Sequence, residues 1–171
     1  MIEAISLRVA SGIKSRVPEH PASVAVLQYA VKLFINTFSI IAFTLLVGVF
    51  TGRLMETAVA MGAFAILRQV SGGYHLKSSV LCIVLSTLAF TLLSYADFNT
   101  VTTQVMNGAA FLLALIYAPS RIEKQTRIPV RYFKYLKLIA LGIITVSFFI
   151  GYSVLAAALL VQAMTLVRGR G

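Results

Sequence analysis

Six apolar runs, each separated from the next by glycine, proline or charge, limit what this chain can fold into. They span residues 33–51, 54–67, 79–96, 104–118, 136–150 and 152–167. Several fall short of the roughly 20 residues that carry a helix across a bilayer core. Local thinning, snorkelling of flanking Arg and Lys, or re-entrant geometry absorbs such a deficit. The predicted fold is therefore an all-α, polytopic integral membrane protein. It has about six transmembrane or re-entrant helices plus an N-terminal amphipathic interfacial helix. A soluble domain is excluded by composition: 59% of residues are hydrophobic and 12% charged, where about 25% charged is usual. The chain reads as a single membrane domain over 1–171. It comprises an amphipathic segment at 1–32, a helical bundle at 33–167 and a basic tail at 168–171.

The net charge of +10 raises nucleic-acid binding as a possibility. The basic residues sit between apolar runs, however, and no basic stretch interleaved with aromatics is present to track a phosphate backbone. They read instead as topology determinants. With six alternating spans and a cytoplasmic N-terminus, every one of the 15 basic residues except Arg53 falls on the inner side. That lopsidedness predicts a multi-pass plasma-membrane protein with both termini cytoplasmic. One cysteine rules out an internal disulfide, two histidines are too few for a structural zinc site, and no cofactor motif is evident. The first thirty residues lack an apolar stretch and cleavage site of the signal-peptide kind.

Ile2, Ile5, Val9 and Ile13 recur at helical spacing, with Arg8, Lys14 and Arg16 at other positions. This pattern predicts a helix lying among anionic lipid head groups, or a docking surface for an amphipathic peptide. Pro18 and Pro21 should end it, and a second short helix is expected from about Ser23. Gly48 and Gly52 form a G-x-x-x-G pattern that permits close helix contact.

The chemistry concentrates in R-Q-V-S-G-G-Y-H-L-K-S-S-V-L-C, residues 68–82. A lone cysteine in a membrane helix is usually a small packing residue. Here Ser78 or Ser79 is a natural N-cap, which puts Cys82 in the first turn of the next helix. Unpaired N–H groups and the helix dipole favour negative charge there, hence the reactive thiolate, and could help hold an oxyanion. His75 becomes a candidate general base. In one continuous helix the seven-residue gap would hold His75 and Cys82 about 10 Å apart along the axis, so the helix must break between them. Gly72-Gly73 and Lys77-Ser78-Ser79 supply that break. Arg68 is either a membrane-interface anchor or a donor to a substrate carboxylate or to carbonyls lining the site. Gln69 or Ser71 could orient the imidazole. His20, between prolines, reads as a surface residue. Tyr74 and Lys77 read as interface anchors, and the basic 120–137 loop, broken by Pro129, would attract an acidic peptide.

These residues resemble the accessory gene regulator B (AgrB) family of membrane cysteine endopeptidases in bacterial quorum sensing. The likeness rests on R-x-x-S-G-G-Y-H with a cysteine seven residues on, and on Y-A-P at 117–119. It continues through I-P-V-R at 128–131 and A-M-T-L-V at 163–167, covering nearly the whole chain. The resemblance implies that Cys82 is the nucleophile and His75 its activating histidine, supported by Arg68 and Gly73. It also implies a substrate, a short amphipathic propeptide of the AgrD type cut near its acidic C-terminal tail on the cytoplasmic face. The retained part would be held as an acyl-enzyme thioester, then cyclised to a thiolactone or lactone, and a homodimer is expected. The alternative from a different class is a non-catalytic small transporter or assembly factor in which Cys82 is a packing residue.

Overall fold

The computed structural model describes residues 2–74, 78–120 and 129–167. Those residues form seven α-helices: α1 (Ile2–Arg16), α2 (Val24–Phe50), α3 (Leu54–Ser71), α4 (Ser79–Leu93), α5 (Thr100–Tyr117), α6 (Phe133–Ile150) and α7 (Ser153–Met164). A 3₁₀ turn, Val130–Tyr132, leads into α6. The amphipathic opening and the six apolar runs thus each become one helix. The second short helix expected from Ser23 does not exist separately. Ser23 is the N-cap of α2, its side chain accepting from the Val26 N–H, and α2 continues unbroken for 27 residues. Nothing between Ser23 and the apolar run breaks helical geometry, so the two merge. Among the described residues, three helical stretches are long and apolar enough to cross a membrane: Val24–Phe50, Thr100–Tyr117 and Val130–Ile150. At about 1.5 Å per residue, the 15 residues of α4 and the 12 of α7 fall short of the bilayer core. The length deficit visible in the sequence is therefore real for these two.

Packing follows the logic of a bundle in lipid. Large apolar side chains point outward, among them Phe34, Phe38, Phe50, Leu92, Val101 and Phe149, all more than half exposed. Small residues fill the centre: Ala60 and Ala63 of α3, Ala110 and Ala114 of α5, Ala140 of α6, and Ala158 and Ala163 of α7. Lipid tails solvate large apolar groups as well as a protein interior does, so close backbone approach and interhelical hydrogen bonds decide what goes inside. The short α7 is the most enclosed element, with eight buried residues. Polar cross-links join the helices. Thr103 and Ser153 hydroxyls lie 3.1 Å apart, Ser147 donates to Asn107 at 2.8 Å, and Gln104 donates to the Phe148 carbonyl at 3.0 Å. Gly48 of α2 faces Thr57 of α3, where an added Cβ would lie 3.2 Å from the threonine Cβ. Half of the G-x-x-x-G pattern is thus a true helix contact. Gly52, in the turn after α2, faces open space.

Hydrogen bonds sort the helix termini into two ends. At one end Arg53, before α3, donates to the Ser94 carbonyl after α4, while Phe98, before α5, donates to Ser153 at the start of α7. At the other end the last residues of α3, α5 and α7 are tied together, as described below. The second end carries Arg68 and the N-terminus of α4.

Helix α1 lies along α2. Ser6 and Ala10, one turn apart, are buried, while Ile5, Val9 and Ile13 remain exposed. Lys32 of α2 holds Glu3 at 2.8 Å. The hydrogen bond from Lys32, reinforced by its charge, keeps the Glu3 carboxyl below its ordinary value of 4.5. A depressed carboxylate stabilises the docked state above its ordinary value, and that contribution is lost as pH falls through the depressed one. Docking of α1 on α2 should therefore loosen in acid below about pH 4.5, as read by hydrogen exchange of the α1 amides corrected for the intrinsic pH dependence. Glu3→Gln should flatten that pH response.

Candidate active site

The glycine turn after α3 is held from three directions. Gly72 ends α3 with φ 73°, its N–H donating to the Arg68 carbonyl. Gly73 follows with φ 130°. After α5 and a cis Ala118–Pro119 bond, Ser120 pairs with this turn. Its N–H donates to the Ser71 carbonyl at 2.8 Å, and its carbonyl accepts from the Gly73 N–H at 2.9 Å. The end of α7 supplies the rest. Gln162 donates to the Gly72 carbonyl at 2.7 Å and to the Ser71 hydroxyl at 3.3 Å. The Thr165 carbonyl accepts from the Tyr74 N–H at 3.0 Å. Arg68 closes the turn by donating to the Tyr74 carbonyl at 2.7 Å, with its guanidinium over the Phe64 ring. Buried backbone polar groups need partners, and here residues from α3, α5 and α7 provide them. The helix break that a histidine–cysteine pair requires is thus present: α3 stops at Ser71, and the next helix starts at Ser79.

Ser78 is the N-cap of α4, accepting from the Leu81 N–H, and Ser79 is the first helical residue. Cys82 lies in the first turn, half-buried. Its own N–H is engaged, donating to the Ser78 carbonyl at 3.0 Å. That N–H, counted among the possible oxyanion donors at the sequence level, is taken by the helix. What faces the thiol instead is Asn36 of α2, whose Nδ2 donates to Cys82 Sγ at 3.7 Å. Asn36 is only 5% exposed, and its Oδ1 has no hydrogen-bond partner among the described residues. A shallow apolar groove of about 150 Å³ runs along Leu85, Ser86 and Ala89 of α4 to Thr165 and Val161.

Of the candidate residues, Arg68, Gly72, Gly73, Ser78, Ser79 and Cys82 gather at one end of the bundle. His75 and Lys77 lie outside the described residues, as do Arg121, Lys124 and Arg127 of the basic loop. Ser71, weighed as an orienter of the imidazole, donates to the Leu67 carbonyl within its own helix. His20 is not without partners: its Nδ1 accepts from the Ala22 N–H, and its carbonyl accepts from Lys14. Asn36 and Gln162 were missed at the sequence level. Each is a carboxamide inside an apolar run, where an amide is costly unless something bonds it, and that signal could have flagged both.

A family model for accessory gene regulator B matches residues 6–166. The chain belongs to the accessory gene regulator B family. It is 33% identical over 101 residues to an AgrB-like protein of Clostridium acetobutylicum, covering 57% of this chain and 48% of that protein. Against an AgrB-like protein of Halalkalibacterium halodurans it is 28% identical over 120 residues, 70% of this chain and 61% of the relative. Against accessory gene regulator protein B of Staphylococcus aureus (strain N315) it is 26% identical over 149 residues, covering 80% and 78%. The matches to the two AgrB-like proteins thus span only about half to three-fifths of their length. No solved structure matches the chain at comparable significance. The AgrB match takes in both the glycine turn and the first turn of α4.

Proposed function

We propose that this AgrB-family protein is a membrane cysteine endopeptidase that cuts the C-terminal tail from a short quorum-sensing propeptide and promotes its cyclisation. The observation that carries this reading is a thiol in the first turn of α4, preceded by a helix break between Ser71 and Ser79, the stretch of sequence that holds His75. His75, as base, takes the Cys82 proton, and Sγ attacks the carbonyl carbon at the cleavage point. The carbonyl electron pair moves to oxygen. Collapse of that intermediate breaks the C–N bond, and the tail leaves as an amine carrying the proton from His75. A Cys or Ser side chain of the retained peptide, giving its proton to His75, then displaces Sγ from the thioester and closes a thiolactone or lactone. The Cys82 sulfur leaves as the thiolate paired with the protonated His75. Arg68 and the glycine pair act by fixing the turn that carries the base.

In this reading the Arg68 end faces the cytoplasm, as do both termini, because nearly all basic residues gather on that side. The Ile5/Val9/Ile13 face of α1 rests among anionic lipid head groups, and two copies of the chain form a homodimer. The substrate is an AgrD-type peptide with an amphipathic body and an acidic tail. The remaining cations of the 120–137 loop are suited to that tail.

The test is co-expression with short amphipathic peptides encoded beside this chain, followed by mass analysis. The expected products are a released acidic tail and an adduct on the protein that hydroxylamine removes. A protein that inserts normally yet yields neither product with any such peptide would leave the non-catalytic alternative standing.

A further inference from the structure

We infer that Asn36 is the oxyanion donor of the site, its side-chain amide bonding the carbonyl oxygen of an acyl group under attack by Cys82. This rests on the acyl-transfer reading above. Attack by a thiolate moves the carbonyl electron pair onto oxygen, and that charge needs a fixed donor beside the sulfur. Two N–H groups of the first turn of α4 are already engaged. The Cys82 N–H is engaged by the Ser78 carbonyl, and the Leu81 N–H is aimed at the Ser78 hydroxyl. Asn36 reaches in from a different helix, with Nδ2 3.7 Å from Sγ. An acyl oxygen lies two bonds from that sulfur, within range of the same N–H₂ group.

Burial strengthens the assignment. Asn36 is 5% exposed and interrupts an apolar stretch of α2, yet among the described residues its side-chain bond is to sulfur, a weak acceptor. Its oxygen has no partner among the described residues. Gln104 and Asn107 also keep one unpartnered amide atom each among the described residues; Asn36 differs in that its N–H₂ group points at the nucleophile. A stronger acceptor arriving with substrate would take that group over from the sulfur.

Two variants and two reagents test the role in the full-length protein in membranes. Asn36→Leu removes the donor together with the unpartnered oxygen, so the fold should tolerate it. Asn36→Ala removes the N–H₂ group without adding charge beside the thiol. Acyl transfer to Cys82 is read with the propeptide and, independently of it, with p-nitrophenyl acetate. Iodoacetamide alkylates the same thiol by displacing iodide from a tetrahedral carbon, with no oxyanion. Both variants should insert normally and lose about 100-fold in acylation rate while alkylation stays within about threefold. Acylation and alkylation falling together would assign Asn36 to the thiol or to structure, and unchanged acylation would exclude any role; either overturns the inference. A wild type acylated by the ester but by no propeptide would instead count against the endopeptidase reading. The Asn36 comparison is still read with the ester.

Discussion

Cys82→Ala is expected to abolish tail release and the hydroxylamine-labile adduct together, while the protein still accumulates in the membrane. The substitution removes one sulfur atom from a half-buried position, where its side-chain partner among the described residues is Asn36. Alanine is the best helix former, and the loss of this small group should cost about 1 kcal/mol or less. Loss of function with normal insertion would therefore report chemistry and not unfolding. His75→Ala should lower tail release by about 10²–10⁴-fold, the range for removing a general base. Adding His75→Ala to Cys82→Ala should change nothing further, because nucleophile and base act as a unit. Mass analysis of membranes co-expressing the propeptide checks all three variants. Tail release that survives Cys82→Ala would end the cysteine endopeptidase reading.

The second large effect is expected at Gly73, and it tests whether the turn must be built as it is. A Cβ added there would lie 2.5 Å from Thr165 Oγ1 and 3.3 Å from Gln162 Nε2. The φ of 130° is also one that L side chains rarely adopt. Backbone strain of about 1–3 kcal/mol and overpacking of about 1–3 kcal/mol both oppose alanine. Gly73→Ala should accordingly displace the turn from α7 and cut tail release by about 100-fold or more. The threonine hydroxyl is itself held, donating to the Gln162 carbonyl at 2.7 Å, so it cannot swing away freely. Gly73→Ala/Thr165→Ala should recover part of the activity, because it relieves the clash but leaves the backbone strain. Tail release in Gly73→Ala within about threefold of wild type would mean that the turn's position does not matter, since the strain alone predicts more.

Much of this follows from local rules. The apolar runs name the six bundle helices, because a chain in lipid must bond its own backbone and a helix does so within one segment. Pro18 and Pro21 end α1, and Y-A-P ends α5 at Tyr117. A serine before an apolar run announces the cap of α4, placing Cys82 in its first turn. These are properties of a few consecutive residues, so a linear reading reaches them. The merging of the segment from Ser23 into α2 was harder to see, because Lys32 and Gln28 interrupt the apolarity without interrupting the helix.

The sequence alone thus determined the helices, their breaks, the family and the end of the chain's chemistry-bearing turn. Only the tertiary structure decided which side chains meet there. Asn36 and Cys82 are 46 residues apart, and Gln162 and Gly72 are 90 apart. Such pairings depend on how each helix is rotated about its axis. In a bundle whose outer face is as apolar as its centre, hydrophobic periodicity carries little information about that rotation. Small residues and hydrogen bonds between helices set it instead, and they become visible only once the helices are packed.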